Sequence, residues 1–314
     1  MKKNFKQKQN FYLKRGDVID IIAPGSACSE ENFKLAVEWL RAKGFEPRWS
    51  KDVIKPEMYL AQSDKYRFDD LKKALSAQDS KAIWCLRGGY GSFRLWPDLL
   101  KLKKKYPAKL FIGLSDITSL HHFLNRKWKW PTLHASLLDR VGQNKLSAGN
   151  ESELFSVLFG ETQAVEFNHL VALNAAAKKK KKINGTVLGG NLATYMVALG
   201  TDLHPKYKKN ENVILFFEDI GERGYKVDRF LNHLIQAKVL DQVAAVVFGD
   251  FIQGQESNGN DLTEKTLINF AQKIKIPVFT GLEAGHADLQ RPVFFGTEAE
   301  LTCGVNPQMV VYSP

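Results

Sequence analysis

Short apolar runs alternate along the chain with longer amphipathic stretches, and turn residues separate them. Gly16-Asp17-Val18-Ile19-Asp20-Ile21-Ile22-Ala23-Pro24 predicts a buried first strand that ends at a Pro-Gly turn. Ser29 is placed to cap a helix running through Ala42 and Lys43, which Gly44 stops. A second helix is predicted over residues 64–77, where Tyr66, Phe68, Leu71 and Leu75 recur at three- and four-residue spacing. The apolar runs from Ala82 to Leu86 and from Leu110 to Leu114 read as further strands. Strands alternating with helices of this length predict a parallel, doubly wound sheet between residues 16 and 150.

The pattern changes at Ala175-Ala176-Ala177 and the five lysines that follow, Lys178 to Lys182, which read as an exposed loop between domains. Beyond it, strands are predicted at Ile183 to Val187, Val213 to Phe217, Ala244 to Phe248, Pro277 to Thr280, Val293 to Phe295 and Met309 to Tyr312. A helix is predicted from Asn191 to Leu199. Another runs from Tyr225 to Leu240, with Phe230, Leu231, Leu234 and Ile235 on one face. The expected division is an N-terminal domain over 1–165, a basic linker over 166–182 and a strand-rich C-terminal domain over 183–314.

Composition narrows the class. With 314 residues, 44% hydrophobic and 25% charged, the chain is long and apolar enough to bury a core, which excludes disordered and fibrous classes. No stretch of about 18 apolar residues exists, so no transmembrane helix is expected. The N-terminal segment, with Lys2, Lys3, Lys6, Lys8, Lys14 and Arg15, lacks the apolar core of a secretory signal. Cys28, Cys85 and Cys303 are too few and too scattered for a disulfide framework or a zinc site, which fits a reducing compartment. The net charge of +11 comes from patches: the N-terminal tail, Lys101 to Lys109, Lys178 to Lys182, and Lys206 to Lys209. Without interleaved aromatics or a reading helix, these read as solvated faces rather than a nucleic-acid footprint, or at most as steering for an anionic substrate.

Four places carry candidate chemistry. In Gly113-Leu114-Ser115-Asp116-Ile117-Thr118, an apolar strand ends at Ser115 and a helix begins just after it. A serine there has an exposed hydroxyl, and the following N–H lies where unpaired donors favour an oxyanion. The plainer alternative makes Ser115 a helix cap. Arg87-Gly88-Gly89-Tyr90-Gly91-Ser92 lets backbone approach a ligand, or is simply a tight turn; it has neither Walker nor dinucleotide spacing. Glu218 and Asp219 end an apolar strand, where a carboxylate can orient a histidine, or where Asp219 simply pairs with Arg223. Among the histidines, His286 stands on a glycine-flanked loop and His134 is the second candidate. His121 and His122 read as surface or packing residues. His169, His204 and His233 have no supporting context. No histidine or cysteine spacing supports a metal mechanism.

Together these segments resemble the serine LD-carboxypeptidase family, which contains the muramoyl-tetrapeptide carboxypeptidases and the microcin-immunity peptidases. The resemblance rests on Gly16-Asp17 through Ala23-Pro24, Arg87 to Gly91, Gly113 to Thr118, Leu188-Gly189-Gly190-Asn191-Leu192, Phe217-Glu218-Asp219-Ile220 with Tyr225 and Asp228-Arg229, and Gly285-His286, in that order. It implies a Rossmann-like N-terminal parallel-sheet domain and a strand-rich C-terminal α/β domain with a cleft between them. It further implies Ser115 as nucleophile, His286 as general base and Glu218 as its orienting carboxylate. The oxyanion hole would be the N–H groups of Gly89 and Asp116. Arg87, Gly88 and Tyr90 are candidates for substrate binding. No cofactor and no metal are expected.

The implied reaction is release of terminal D-alanine from a murein tetrapeptide during cell-wall recycling, by a cytoplasmic homodimer with neither membrane nor nucleic acid as partner. The alternatives are an immunity-type peptidase acting on peptidyl- or aminoacyl-nucleotide antibiotics and a non-catalytic ligand-binding protein. The first would need a platform for a base; Trp128 and Trp130 read more simply as packing or rim residues. The sequence departs from the family pattern in two places. Leu133-His134-Ala135-Ser136 stands where His-Gly-Pro is expected, and Ala287-Asp288-Leu289-Gln290-Arg291-Pro292 replaces a run with an asparagine before Leu-Pro. Both bear on substrate identity more than on reaction type.

Overall fold

A computed structural model describes residues 11–103, 106–143, 145–179 and 181–314. Lys2, Lys3, Lys6, Lys8, Lys104, Lys105 and Lys180 of the basic patches lie outside the described residues. Among the described residues, fourteen strands form two sheets. The first half contributes β1 (Val18–Ile22), β2 (Glu46–Arg48), β3 (Ser80–Cys85), β4 (Leu110–Gly113) and β5 (Thr132–His134). Next come β6 (Ala164–Phe167), β7 (Val171–Ala172), β8 (Lys181–Asn191), β9 (Val213–Ile220) and β10 (Val243–Ile252). The chain ends with β11 (Val278–Thr280), β12 (Val293–Phe295), β13 (Glu298–Cys303) and β14 (Gln308–Tyr312).

The first sheet has the order β12-β5-β4-β3-β1-β2, and its strands are parallel except β12. Helices join these strands, as the alternating pattern predicts. Ser29 accepts the Asn32 N–H at 3.2 Å and caps the helix Glu30–Ala42, whose first turn carries Glu30 and Glu31 against the positive helix end. That helix buries Ala36, Val37 and Leu40. With β1, β3 and β4 almost wholly buried, the strands read as near-continuous apolar runs, the signature of a sheet covered on both faces.

The second sheet has the order β6-β14-β13-β8-β9-β10-β11-β7 and mixes a parallel centre (β8 to β11) with antiparallel flanks. Its middle strand β9 is buried from Val213 to Asp219. The helix Gly224–Gln236 covers one face through Val227, Leu231 and Leu234, at the four- and three-residue spacing of one helix side. Each fully buried side chain of this kind, such as Phe216, Phe217 or Leu231, contributes about 1.5–3 kcal/mol of transfer free energy.

Three details differ from the reading of the sequence. The segment 166–182 is not a bare linker: it holds the end of β6, all of β7, the short helix Ala175–Lys178 and the start of β8. β12 leaves the C-terminal half and pairs antiparallel with β5, Val293 opposite His134, so that it, and not β5, is the edge strand of the first sheet. Lys109 is not a solvated cluster member. It is buried, and its ammonium donates to the carbonyls of Ala74 (2.9 Å) and Ala77 (2.5 Å) and to Ser80 Oγ (2.7 Å), satisfying the end of the helix Asp64–Ser76.

Candidate active site

The parallel strands of the first sheet present their C-terminal ends at one edge, where open α/β sheets place their sites. Ser115 follows β4 there, with φ at +65°. A non-glycine residue in the left-handed region is uncommon and costs on the order of 1–2 kcal/mol, so the turn is held by its surroundings. The hydroxyl caps neither the 3-10 turn Ser115–Ile117 nor the helix Thr118–Phe123, which excludes the cap reading and leaves Oγ available. Gly88 backs onto it: a side-chain carbon at Gly88 would stand 2.9 Å from Ser115 Cβ and 3.2 Å from its Oγ. Only glycine lets the loop pass so close.

The side chain of Asp116 does work that its place in the motif did not disclose. Buried, it accepts the N–H groups of Gly91 (3.3 Å) and Ser92 (2.8 Å), fastening the glycine loop to the serine turn. Burial raises the pKa of this carboxyl, opposed by those N–H bonds. Arg67, also buried, donates to Gly91 O at 2.9 Å and to Pro24 O, so the first and second loops are tied as well. Ser26 completes the knot, its Oγ accepting the Tyr90 N–H at 3.2 Å. Gly89 itself has φ +81°, a conformation glycine adopts freely.

In the second sheet Glu218 is fully buried on β9, and its Oε2 lies 2.6 Å from Nδ1 of His286. The remaining Oε1 has no partner among the described residues. His286 is itself 9% exposed. Burial opposes its charged form, but the facing Glu218 carboxylate, through charge and hydrogen bond, and Asp219 behind it win, and the imidazole pKa is raised. Asp219 does not pair with Arg223. It accepts Asn191 Nδ2 (3.0 Å) and the N–H groups of Ala193 (2.8 Å) and Ile220 (2.8 Å), and burial beside Glu218 pushes it up to about 7.

A further carboxylate, missed in the sequence, adjoins this pair. β10 shifts register against β9 between Phe248 and Phe251, so Gly249 and Asp250 together stand opposite Glu218. Gly285 is wedged between the two acids: a side-chain carbon there would lie 3.1 Å from both Asp250 Cβ and Glu218 Oε2. Burial chiefly raises the Asp250 carboxyl to about 6, and its Oδ2 is unpartnered among the described residues.

The two sheets meet through Thr118, one turn after Ser115. Its Oγ1 accepts the Asn191 N–H at 2.9 Å, and Asn191 is the ladder partner of Glu218. The serine turn and the Glu218–His286 pair thus belong to one connected set of contacts. Among the described residues no hydrogen bond joins Ser115 Oγ to His286, a bond that in unliganded enzymes is often long and tightens with substrate.

The remaining candidates divide cleanly. His134 is buried beside Phe216 and Phe295, with both ring nitrogens unpartnered among the described residues, and burial drives its pKa well down. His121 and His122 are packing residues, bonded to the carbonyls of Gly113 (2.9 Å) and Leu203 (2.7 Å). Trp128 and Trp130 are buried at 8% and 3% exposure and present no open face to a base. Arg87 is exposed, 3.9 Å from Asp139, and donates to Ala27 O; Tyr90 is exposed and packs edge-on against Tyr59. The two departures from the family pattern touch each other: Ser136 Oγ donates to Gln290 Oε1 at 2.5 Å, and Gln290 Nε2 donates to Ala287 O at 3.1 Å.

Comparison with known proteins gives a consistent picture. Residues 19–135 match the LD-carboxypeptidase N-terminal domain and residues 184–301 the LD-carboxypeptidase C-terminal domain. A Rickettsia conorii protein that bears the name carboxypeptidase is 40% identical over 245 residues, covering 77% of this chain and 75% of that one. The murein tetrapeptide carboxypeptidase of Pseudomonas aeruginosa is 29% identical over 289 residues, 90% of this chain and 92% of its own. Among solved structures, the muramoyltetrapeptide carboxypeptidase from Oxalobacter formigenes superposes with a TM-score of 0.81 at 28% identity, over 94% of this chain and 99% of that one.

Proposed function

The chain belongs to the LD-carboxypeptidase family, and from that premise we propose that it is a serine carboxypeptidase releasing terminal D-alanine from murein tetrapeptides. The observation that supports this most is the buried 2.6 Å pair of Glu218 and His286, linked through Asn191 and Thr118 to a serine in a left-handed turn. In this reading Ser115 Oγ attacks the scissile carbonyl while Nε2 of His286 takes its proton. The tetrahedral oxyanion is held by the N–H groups of Gly89 and Asp116. His286 then protonates the leaving amine, and Glu218, bonded to Nδ1, fixes the tautomer and stabilises the imidazolium. Water hydrolyses the acyl-enzyme by the same route. Glycine at 88 gives the tetrahedral centre room beside Ser115.

The reading also places the enzyme in the cytoplasm as a homodimer. The three cysteines, all free and buried, suit a reducing compartment, and among the described residues no helix is long and apolar enough to cross a membrane. The burial of Trp128 and Trp130 disfavours a base-stacking role for them, and with it the nucleotide-antibiotic alternative. Incubation with free murein tetrapeptide, read by mass spectrometry, is expected to give tripeptide and D-alanine. A fluorophosphonate probe is expected to label the wild type and not Ser115→Ala. Cleavage of an aminoacyl-nucleotide analogue with no tripeptide formed would reject the murein assignment.

A further inference from the structure

A carboxypeptidase must recognise a free terminal carboxylate, and the proposed catalytic set contains no cation. Its location follows from the covalent geometry of the substrate. The leaving amine that His286 protonates and the terminal carboxylate carbon are bonded to the same Cα, so they lie about 2.5 Å apart. A guanidinium holding that carboxylate makes bonds of about 2.7–2.9 Å to its oxygens. The recognising cation must therefore stand within electrostatic reach of His286, whatever the rest of the substrate is.

Arg140 meets this condition. It lies on the helix Leu138–Val141 just after β5, whose His134 stands opposite Gly113 at the strand end that leads into the Ser115 turn, and its charge is among those that oppose protonation of His286. The mount is rigid: the Asp139 N–H donates to Leu86 O at 3.0 Å, anchoring this helix to the strand end from which the glycine loop springs. Packing is close on the other side, where Gly142 abuts the backbone of Ala36. Among the described residues, the Arg140 guanidinium makes no ion pair within 4.0 Å and no hydrogen bond, and its Nε is buried without a partner. Unpaired buried donors are costly, and a ligand carboxylate would satisfy them. Arg87 is occupied by Asp139 at 3.9 Å and by Ala27 O at 3.1 Å, and Arg67 by the carbonyls of Pro24 and Gly91.

We propose that Arg140 binds the terminal carboxylate of the substrate and so confines the enzyme to the last residue of the peptide. This rests on the serine carboxypeptidase reading above. The decisive comparison uses two substrates, a murein tetrapeptide ending in D-alanine and the same peptide ending in D-alaninamide. Wild type is expected to favour the free acid in kcat/KM by on the order of 10–100-fold, the range for hydrogen bonds to a charged group. Arg140→Ala should erase most of the acid-over-amide preference in kcat/KM, and Arg140→Lys should recover part of it. Calorimetry on Ser115→Ala supplies a binding measurement independent of turnover, in which adding Arg140→Ala should weaken tetrapeptide binding at least about tenfold.

The inference is overturned if Arg140→Ala keeps the acid preference, if it lowers both substrates equally, or if Arg87→Ala is the change that erases the preference. Unaltered tetrapeptide binding in the calorimetric pair overturns it as well. Wild type that cleaves neither peptide rejects the peptidase reading instead, and the calorimetric comparison then still decides the role of Arg140.

Discussion

Ser115 holds its conformation against intrinsic preference, and this separates its contribution to stability from its contribution to chemistry. Ser115→Ala keeps the left-handed strain, whereas Ser115→Gly releases it. Both variants are expected to be inactive, with the glycine variant more stable than the alanine one by about 1 kcal/mol in thermal unfolding. Glu218→Gln should retain the fold and lower kcat by on the order of 10³–10⁴, since an amide can no longer hold the imidazolium. His286 must be neutral to accept a proton, and its pKa is raised, so kcat/KM is expected to fall with acid from a pH above the ordinary 6.5. Asp250→Asn removes a nearby charge that favours the imidazolium, so this acid limb should move to lower pH.

The same Asp250 substitution has a consequence for stability. A carboxyl raised from 3.8 to about 6 disfavours its own ionisation in the fold. Its stabilising contribution is complete below 3.8 and is lost as pH rises through about 6. Asp250→Asn is therefore expected to gain stability relative to wild type over that window and to hold the gain above it. Denaturation midpoints measured from pH 4 to pH 8 check the sign. Ser115, Glu218 and His286 could be picked out as candidates in the sequence because each ends or follows an apolar run beside a turn. Only the family resemblance gave them roles, and the 2.6 Å pairing of Glu218 with His286 is what the fold adds. Asp250 could not be picked out this way, since a β-bulge brings it beside Glu218 without any recurrent spacing.

Among the elements, the loop from Gly281 to Pro292 governs how firmly His286 is held. β10 templates its first part: Leu282 donates to Phe248 O at 3.2 Å and Asp250 donates to Ala284 O at 3.1 Å. Asn150 Nδ2 donates to Asp288 O at 2.6 Å, and Arg291 bridges Glu153 and Glu283. The buried bond between Ser136 and Gln290 closes the other side. Either partner alone is expected to be costly to remove, because the other is left buried and unsatisfied. A double-mutant cycle on Ser136→Ala and Gln290→Ala should show a coupling of about 0.5–3 kcal/mol. A coupling energy of zero would detach the two departures from one another. Central strands such as β4 and β9 were legible as apolar runs. The reach of β8 back to Lys181 was not, since lysines at a strand's exposed start carry no apolar signal.

At the level of the whole molecule, the division into halves is less clean than composition suggests. Residues 166–182 build part of the second sheet, and β12 belongs to the first. A fragment spanning residues 1–165 lacks β12 and leaves β5 as an open edge. It is expected to be insoluble alone and to be rescued by coexpression with residues 166–314, which sedimentation of the lysate would reveal. Strand alternation made the parallel sheet of the first half readable. It could not show that its last strand comes from far along the chain, because a three-residue apolar run does not encode its partner. The +11 charge gains little functional meaning from the fold: Lys109 is a structural cap, and Lys182 is paired with Glu300 at 2.6 Å.

The return of β12 to the first sheet also bears on how the protein is made. Chains fold as they leave the ribosome, N-terminal parts first. The serine turn can form early, but the loop carrying His286 runs between β11 in one sheet and β12 in the other, so it has no complete anchorage until both have been synthesised. On the proposed reading, a nascent chain stalled before β12 would hold Ser115 in its turn but leave His286 without full anchorage, keeping a newborn hydrolase latent until synthesis is nearly finished. Stalled ribosome–nascent-chain complexes are accordingly expected to resist fluorophosphonate labelling until β12 has emerged.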